Sequence, residues 1–165
     1  MIYLYCMTKI IYLGGYNRNI FAKVDDEDYE ELNQFSWNMS GGYARRATSK
    51  KKGELKKTTV SMHRHLLRPP KDKMVDHING DKLDNRKINL RLCTRLGNAQ
   101  NRGMCRTNTS GYKGVWKNGR RWSVYIYRNG KNVFGGSFID KKDAARAYNK
   151  LATEFHGKFA HLNKC

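Results

Sequence analysis

The chain has 165 residues, 33 Lys and Arg against 14 Asp and Glu, a net charge of +19 and 39% hydrophobic residues. That length holds one medium domain or two to three small ones, and that hydrophobic share argues against a single large core. A surface so basic repels itself unless it meets a polyanion, so nucleic acid is the first candidate partner and an anionic membrane the second.

The start, MIYLYCMTKIIYLGG, is apolar but interrupted by Lys9, and it is far too short to span a bilayer. Met1 and Met7 both offer an initiator. Ile20–Val24 reads as a strand. Asp25 or Asp26 caps a helix through about Phe35, and six of the 14 acids lie between Asp25 and Glu31, where they complement the helix dipole. Trp37–Ser40, Tyr43–Ala47 and Thr58–Met62 alternate as strands do. Between the last two, SKKKGELKK (Ser49–Lys57) predicts an exposed basic loop. Residues 1–67 therefore read as an N-terminal α+β region.

Pro69-Pro70 punctuates the chain and opens a second segment, 68–103. In it, Met74–His77 and Ile88–Leu92 pair around the polar loop Ile78–Lys87. Thr94 caps a helix over about Arg95–Arg102. Met104–Gly111 lacks periodicity and reads as a linker, 104–111. The cysteines, Cys6, Cys93, Cys105 and Cys165, form no C-x-x-C pair, which argues against a zinc knuckle and for reduced thiols in a cytosol-like compartment.

The last segment, 112–163, predicts three strands: Tyr112–Lys117, Arg120–Tyr127 and Lys131–Phe138. Asn118-Gly119 and Asn129-Gly130, strong hairpin signals, join them. Trp122, Val124 and Ile126 fall on one face of the middle strand, Arg121, Ser123, Tyr125 and Tyr127 on the other. Asp140 then caps a helix ending at Gly157, with Ala144, Ala147, Tyr148, Leu151, Ala152 and Phe155 in one apolar stripe. That stripe buries the Trp122 face and leaves a free face of cations and aromatics. From Asn101 to Cys165 there are 14 Lys and Arg and three acids, a net of +11. Such a face suits a nucleic-acid groove.

Tyr112-Lys113-Gly114-Val115, Gly136-Ser137-Phe138 and Ala144-Ala145-Arg146-Ala147-Tyr148 resemble the plant Apetala-two/ethylene-response-factor DNA-binding domain. Lys stands for Arg and Ser for Thr, and the loop after the first strand is shorter. That family lays its sheet in the DNA major groove. The resemblance implies DNA contact at Lys113, Gly114, Trp116, Tyr125, Tyr127 and Phe134, with Lys117 and Arg121 beside them. Several of these are Arg in the plant proteins, so base specificity does not carry over.

The run VDHINGDKLDNRKINLRLCTRLGNAQN (Val75–Asn101) gathers Asp76, Asp81, Asp84 and five Asn around one imidazole, His77. Phosphodiester hydrolysis needs a base for water and positive charge on the phosphate and leaving oxygen. A neutral His is a good base near pH 7, and a hard divalent ion supplies the charge through oxygen ligands. Adjacent strand residues point to opposite faces, so Asp76 and His77 meet one substrate only at a twisted strand end. D-H-I-N-G-D-K-L-D-N-R-x-x-N-L-R-x-C-T resembles the HNH (ββα-metal) nucleases, above all the phage and intron homing endonucleases. Met62-His63-Arg64 and Asn98-Ala99-Gln100-Asn101 extend the likeness. It implies His77 as general base, Asn89 as the residue that orients it by fixing the loop, and Asp76 and Asn98 as metal ligands, Asn98 standing where the family name implies a His.

The whole therefore reads as an α+β chain: a small N-terminal β-rich region, a ββα-metal HNH unit, and a C-terminal three-stranded antiparallel sheet on one helix. The expected activity is a homing-type, site-specific DNA endonuclease using Mg²⁺ or another divalent ion such as Mn²⁺. Its partner is double-stranded DNA, with no membrane or protein partner. Its expected place is the cytoplasm, including that of a phage- or virus-infected host, and it is not secreted. The alternatives are a non-catalytic sequence-specific DNA-binding regulator on the same scaffold, separated by metal dependence, and an RNA-binding sheet, separated by competition with duplex DNA.

Overall fold

The computed structural model describes residues 7–14, 19–48 and 58–165, so Cys6 and the basic loop at 49–57 lie outside the described residues. The chain divides into two compact units, Met1–Thr94 and Arg95–Cys165. The fold is α+β, with small antiparallel sheets and short helices.

In the first unit, β1 (Thr8–Tyr12) pairs with β2 (Phe21–Asp25), placing Ile11 opposite Ala22. The sequence reading assigned no strand to Thr8–Tyr12. Ile11 is its buried residue, while Lys9 on the same face stays half-exposed and pairs with Asp26 at 2.9 Å. Next, α1 (Asp26–Asn33) starts from Asp25 at its N-cap with Asp26, Glu27 and Asp28 in its first turn. The Asp25 carboxylate does not cap the helix; its Oδ2 accepts the backbone N–H of Lys87 at 2.7 Å.

The strands β3 (Asn38–Ser40), β4 (Tyr43–Ala47) and β5 (Thr59–Ser61) form a second sheet in chain order. Directly after β5 comes α2 (Met62–Leu67), a helix the sequence pattern does not predict; only Met62, its first residue, falls within the expected strand Thr58–Met62. It closes with Arg68 in the left-handed region at φ 43°, just before Pro69-Pro70. Ile11, Leu13, Val24, Leu32, Trp37 and Met62 share one core, and Trp37 Nε1 donates to Leu32 O at 2.8 Å. Strands β6 (Met74–His77) and β7 (Leu90–Cys93) pair with His77 opposite Leu90 and Asp76 opposite Arg91. The helix α2 packs against both.

The second unit opens with α3 (Arg95–Asn101). Gly97 lies so close to Phe159 that a Cβ there would sit 3.2 Å from its ring. Residues 104–111 close a compact turn on Asn108, whose Oδ1 accepts from Gly111 N at 2.9 Å and from Ser110 Oγ at 3.0 Å. Strands β8 (Val115–Asn118), β9 (Arg121–Arg128) and β10 (Lys131–Phe138) form the sheet with β9 in the middle. Asn129 and Gly130 both take positive φ in the β9–β10 turn, as the Asn-Gly signal requires. Helix α4 (Lys141–His156) starts at Asp140, whose Oδ1 accepts from Lys142 N at 2.7 Å and Asp143 N at 3.0 Å. Its buried Ala144, Ala145, Tyr148 and Ala152 meet Val115, Val124 and Ile126.

Candidate active site and nucleic-acid face

The β6–β7 connection accounts for most of the amides and carboxylates in the run from Val75. Asn89 Oδ1 accepts from Asn79 N at 3.0 Å, and its Nδ2 donates to Asp84 O at 2.8 Å. Asp84 is almost wholly buried and grips Arg86 with both oxygens, Nε–Oδ1 at 2.8 Å and Nη2–Oδ2 at 2.7 Å. That guanidinium holds its carboxyl below the usual carboxylate range. Asn79 Nδ2 also donates to Asp84 Oδ2 at 3.0 Å. Asp81 braces the turn by accepting from Leu83 N at 3.0 Å. The loop is stitched to β2 through Lys23 N to Leu83 O and Asn85 N to Lys23 O, each at 2.8 Å.

The acidic cluster has a partner here too. Lys87 Nζ donates to Glu27 Oε1 at 2.7 Å and Asp28 Oδ1 at 2.8 Å, which raises its pKa. Within the loop, Asn89 ties the two ends of the connection together, ten residues apart.

His77 ends β6 and is buried. Burial lowers its pKa below the ordinary imidazole value; the nearby Asn85 carboxamide and the carboxylates of Asp76, Asp81 and Asp84 pull the other way. A neutral imidazole at neutral pH follows, which is the form that accepts a proton. Asp76, one residue before, is buried and receives Arg91 Nε at 2.9 Å and Nη2 at 2.7 Å, both on Oδ2.

Two rings that the sequence did not assign to the site stand beside His77. The His63 ring, from the first turn of α2, lies 5.1 Å away at 83°. The Tyr43 ring, from the start of β4, lies 6.0 Å from His77 and 5.1 Å from His63. Lys82 Nζ lies 4.7 Å over the Tyr43 ring and the Arg45 guanidinium 5.5 Å over it. The only sequence signal for His63 was its place in Met62-His63-Arg64. For Tyr43 there was none, because contact across a sheet leaves no local spacing.

Burial, then the charges of His77, Arg64 and Arg45, push the His63 pKa down to about 3. Above pH 6.5 the ring is neutral in both folded and unfolded chains. Between there and about 3 the unfolded chain binds a proton that the folded chain refuses, so stability falls as pH falls. The slope reaches about 1.4 kcal/mol per pH unit at its steepest. Thermal melts from pH 7 to pH 4.5 should show a falling melting temperature. His63→Phe should flatten that acid limb.

Asn98 stands on α3, half-buried, in the second unit. Hard divalent ions take oxygen donors and need only one or two protein groups besides water and phosphate. The Asp76 carboxylate and the Asn98 carboxamide suit that chemistry. Among the described residues no group of three or more His, Cys, Asp or Glu is placed to hold a metal, which does not suit a closed zinc site.

In the second unit, Trp116, Tyr125, Tyr127 and Phe134 are all exposed. Register puts them on one face: Trp116 pairs with Ser123, and Phe134 with Tyr125. Tyr125 and Phe134 touch, with ring centres 5.5 Å apart. Arg121 shares that face and donates to Ser137 O at 2.8 Å. Lys117 pairs with Trp122 instead, so it has the parity of the helix side while staying exposed on the edge strand.

Lys113 and Gly114 have internal work. Lys113 Nζ donates to Gln100 O at 2.6 Å, and burial, then Arg102, lower its pKa to about 8. Gly114 takes φ +71° against Tyr148. A cavity of about 540 Å³ lies beside them, lined among others by Leu96, Trp116, Tyr125, Tyr127 and Tyr148.

Comparison with known proteins agrees with both halves. The HNH endonuclease family profile matches residues 68–100. The uncharacterized HNH endonuclease L560 of Acanthamoeba polyphaga mimivirus is 28% identical over 97% of this chain and 84% of its own length. The AP2-like ethylene-responsive transcription factor TOE2 of Arabidopsis thaliana is 38% identical over 35% of this chain and 12% of its own length. The APETALA2-like protein 2 of Oryza sativa subsp. indica is also 38% identical, over 35% of this chain and 14% of its own length. Among the described residues no helix is long and apolar enough to cross a membrane.

Proposed function

We propose that this chain is a homing-type, site-specific endonuclease acting on double-stranded DNA, with His77 as its base, a reading supported by the match of residues 68–100 to the HNH endonuclease family. The observation that carries the reading is the buried His77 at the end of β6, kept neutral by desolvation. HNH nucleases generally use a divalent metal, and we assign it here to Mg²⁺ or a similar hard ion. Asp76 and Asn98 are the oxygen donors that would hold it. When bound, the ion supplies positive charge to the scissile phosphate and the leaving oxygen.

The chain's own residues do the rest. Neutral His77 takes a proton from water. The water oxygen forms its bond to phosphorus as the bond from phosphorus to the 3′ oxygen breaks, and the departing 3′ oxygen takes a proton from solvent, leaving 3′-OH and 5′-phosphate ends. Asn89 acts at a distance by holding the loop that follows the base. In the second unit, the aromatic face with Trp116, Tyr125, Tyr127 and Phe134 supplies flat contacts in a duplex groove, and Arg121 adds charge.

The test is incubation with a library of duplex DNA and Mg²⁺, followed by mapping of the cut ends. Cleavage at a recurrent sequence is expected. EDTA should abolish it and added Mg²⁺ restore it, while duplex binding in EDTA persists. Cleavage that proceeds unchanged in EDTA, or binding with no cleavage at any sequence, would overturn the reading.

A further inference from the structure

We propose that His63 is a positioning residue for His77, its flat ring fixing the plane of the base. This rests on the reading of His77 as the base. Helix α2 packs against β6 and β7 and so delivers His63 to the end of β6. The two imidazoles meet nearly at right angles, 83°, with centres 5.1 Å apart. Edge-to-face contact of this kind resists rotation of either ring about its χ2 bond. Tyr43 closes the triangle, 5.1 Å from His63 and 6.0 Å from His77, so both imidazoles are held by a third ring.

Direct participation of His63 in the chemistry is disfavoured. The residue is only 8% exposed, and its Nδ1 is buried with no hydrogen-bond partner among the described residues. A buried polar nitrogen without a partner costs about 1–3 kcal/mol. A core position chosen for packing alone would avoid that cost with an aliphatic side chain. Its neutrality also matters: a cation at this place would repel the imidazolium that His77 becomes on taking a proton. What His63 offers His77 is therefore a small, flat, uncharged ring.

The test compares two replacements that both fill the site. His63→Leu keeps the volume and removes the flat edge. His63→Phe keeps the edge and removes the nitrogens. Single-turnover cleavage and duplex binding are measured for both, with circular dichroism melts to verify folding and His77→Ala as the reference. His63→Leu should lose at least tenfold in the cleavage rate, with duplex affinity within about twofold of the parent. His63→Phe should regain most of that rate, within about threefold of the parent.

A His63→Leu enzyme that cuts at the parental rate overturns the proposal. So does a His63→Phe enzyme as slow as His63→Leu, because the nitrogens rather than the edge would then act. A folded His77→Ala enzyme that still cuts at full rate refutes the base assignment itself, a different result from either.

Discussion

Replacing His77 by alanine is expected to lower the cleavage rate about 10²–10⁴-fold while duplex affinity stays within about twofold. The separation of the two effects follows from the charge state. Burial keeps the imidazole neutral in the folded chain, so its removal takes no positive charge away from the phosphates. The loss falls on the proton transfer alone. The measurement is single-turnover cleavage of a labelled duplex beside a gel-shift titration at the same salt concentration, since affinity without a stated salt is not comparable.

Two controls keep the result interpretable. His77 touches His63 and Tyr43, so its truncation leaves a gap, and a melt must show that the variant is folded. His77→Gln, which refills the space without a comparable base, should be as slow as His77→Ala. A folded His77→Ala protein that cuts at the parental rate would remove this residue from the chemistry.

The contrast between what was legible in the sequence and what was not is physical. The second unit announced itself through local signals: two Asn-Gly turns, period-two strands, an aspartate cap and an apolar stripe of helical spacing. Each works within a few residues. In the first unit, β1 was missed because its evidence is the strand it pairs with, and α2 because six residues with no side-chain cap carry too little pattern. The run around His77 was legible as a motif, yet its polar residues mostly serve the loop. Asp84, Asn79, Asn85 and Asn89 bond backbone and side chains within it. Tyr43 and His63 reach His77 from β4 and α2 through tertiary packing, which no spacing along the chain encodes. Lys113 shows the same limit from the other side. The resemblance implies DNA contact there, and it gives no hint that the amine also bonds the Gln100 carbonyl, a tertiary contact.

Gly114→Ala is expected to be the most damaging single methyl in the second unit, costing about 3–5 kcal/mol. Two penalties coincide. The backbone stands at φ +71°, a left-handed conformation that L side chains rarely adopt. The added Cβ would also overlap the Tyr148 ring and sit 2.6 Å from Tyr125 O. Neither neighbour can yield cheaply. Tyr148 is buried at the centre of the helix–sheet core, and the Tyr125 backbone is tied to this same glycine by its N–H to Gly114 O at 2.8 Å. Gly130→Ala is the matched control: φ is +82° there, but nothing lies within 4 Å of the new Cβ. That variant should pay the backbone term alone, about 1–2 kcal/mol. Urea denaturation followed by tryptophan fluorescence separates the two, since Trp116 and Trp122 report on this sheet. A parental midpoint for Gly114→Ala would mean the strand, helix and tyrosine do not pack as described. With the expected loss, a fall in DNA binding by that variant must be credited to the sheet coming apart before any contact between the glycine and the duplex is invoked.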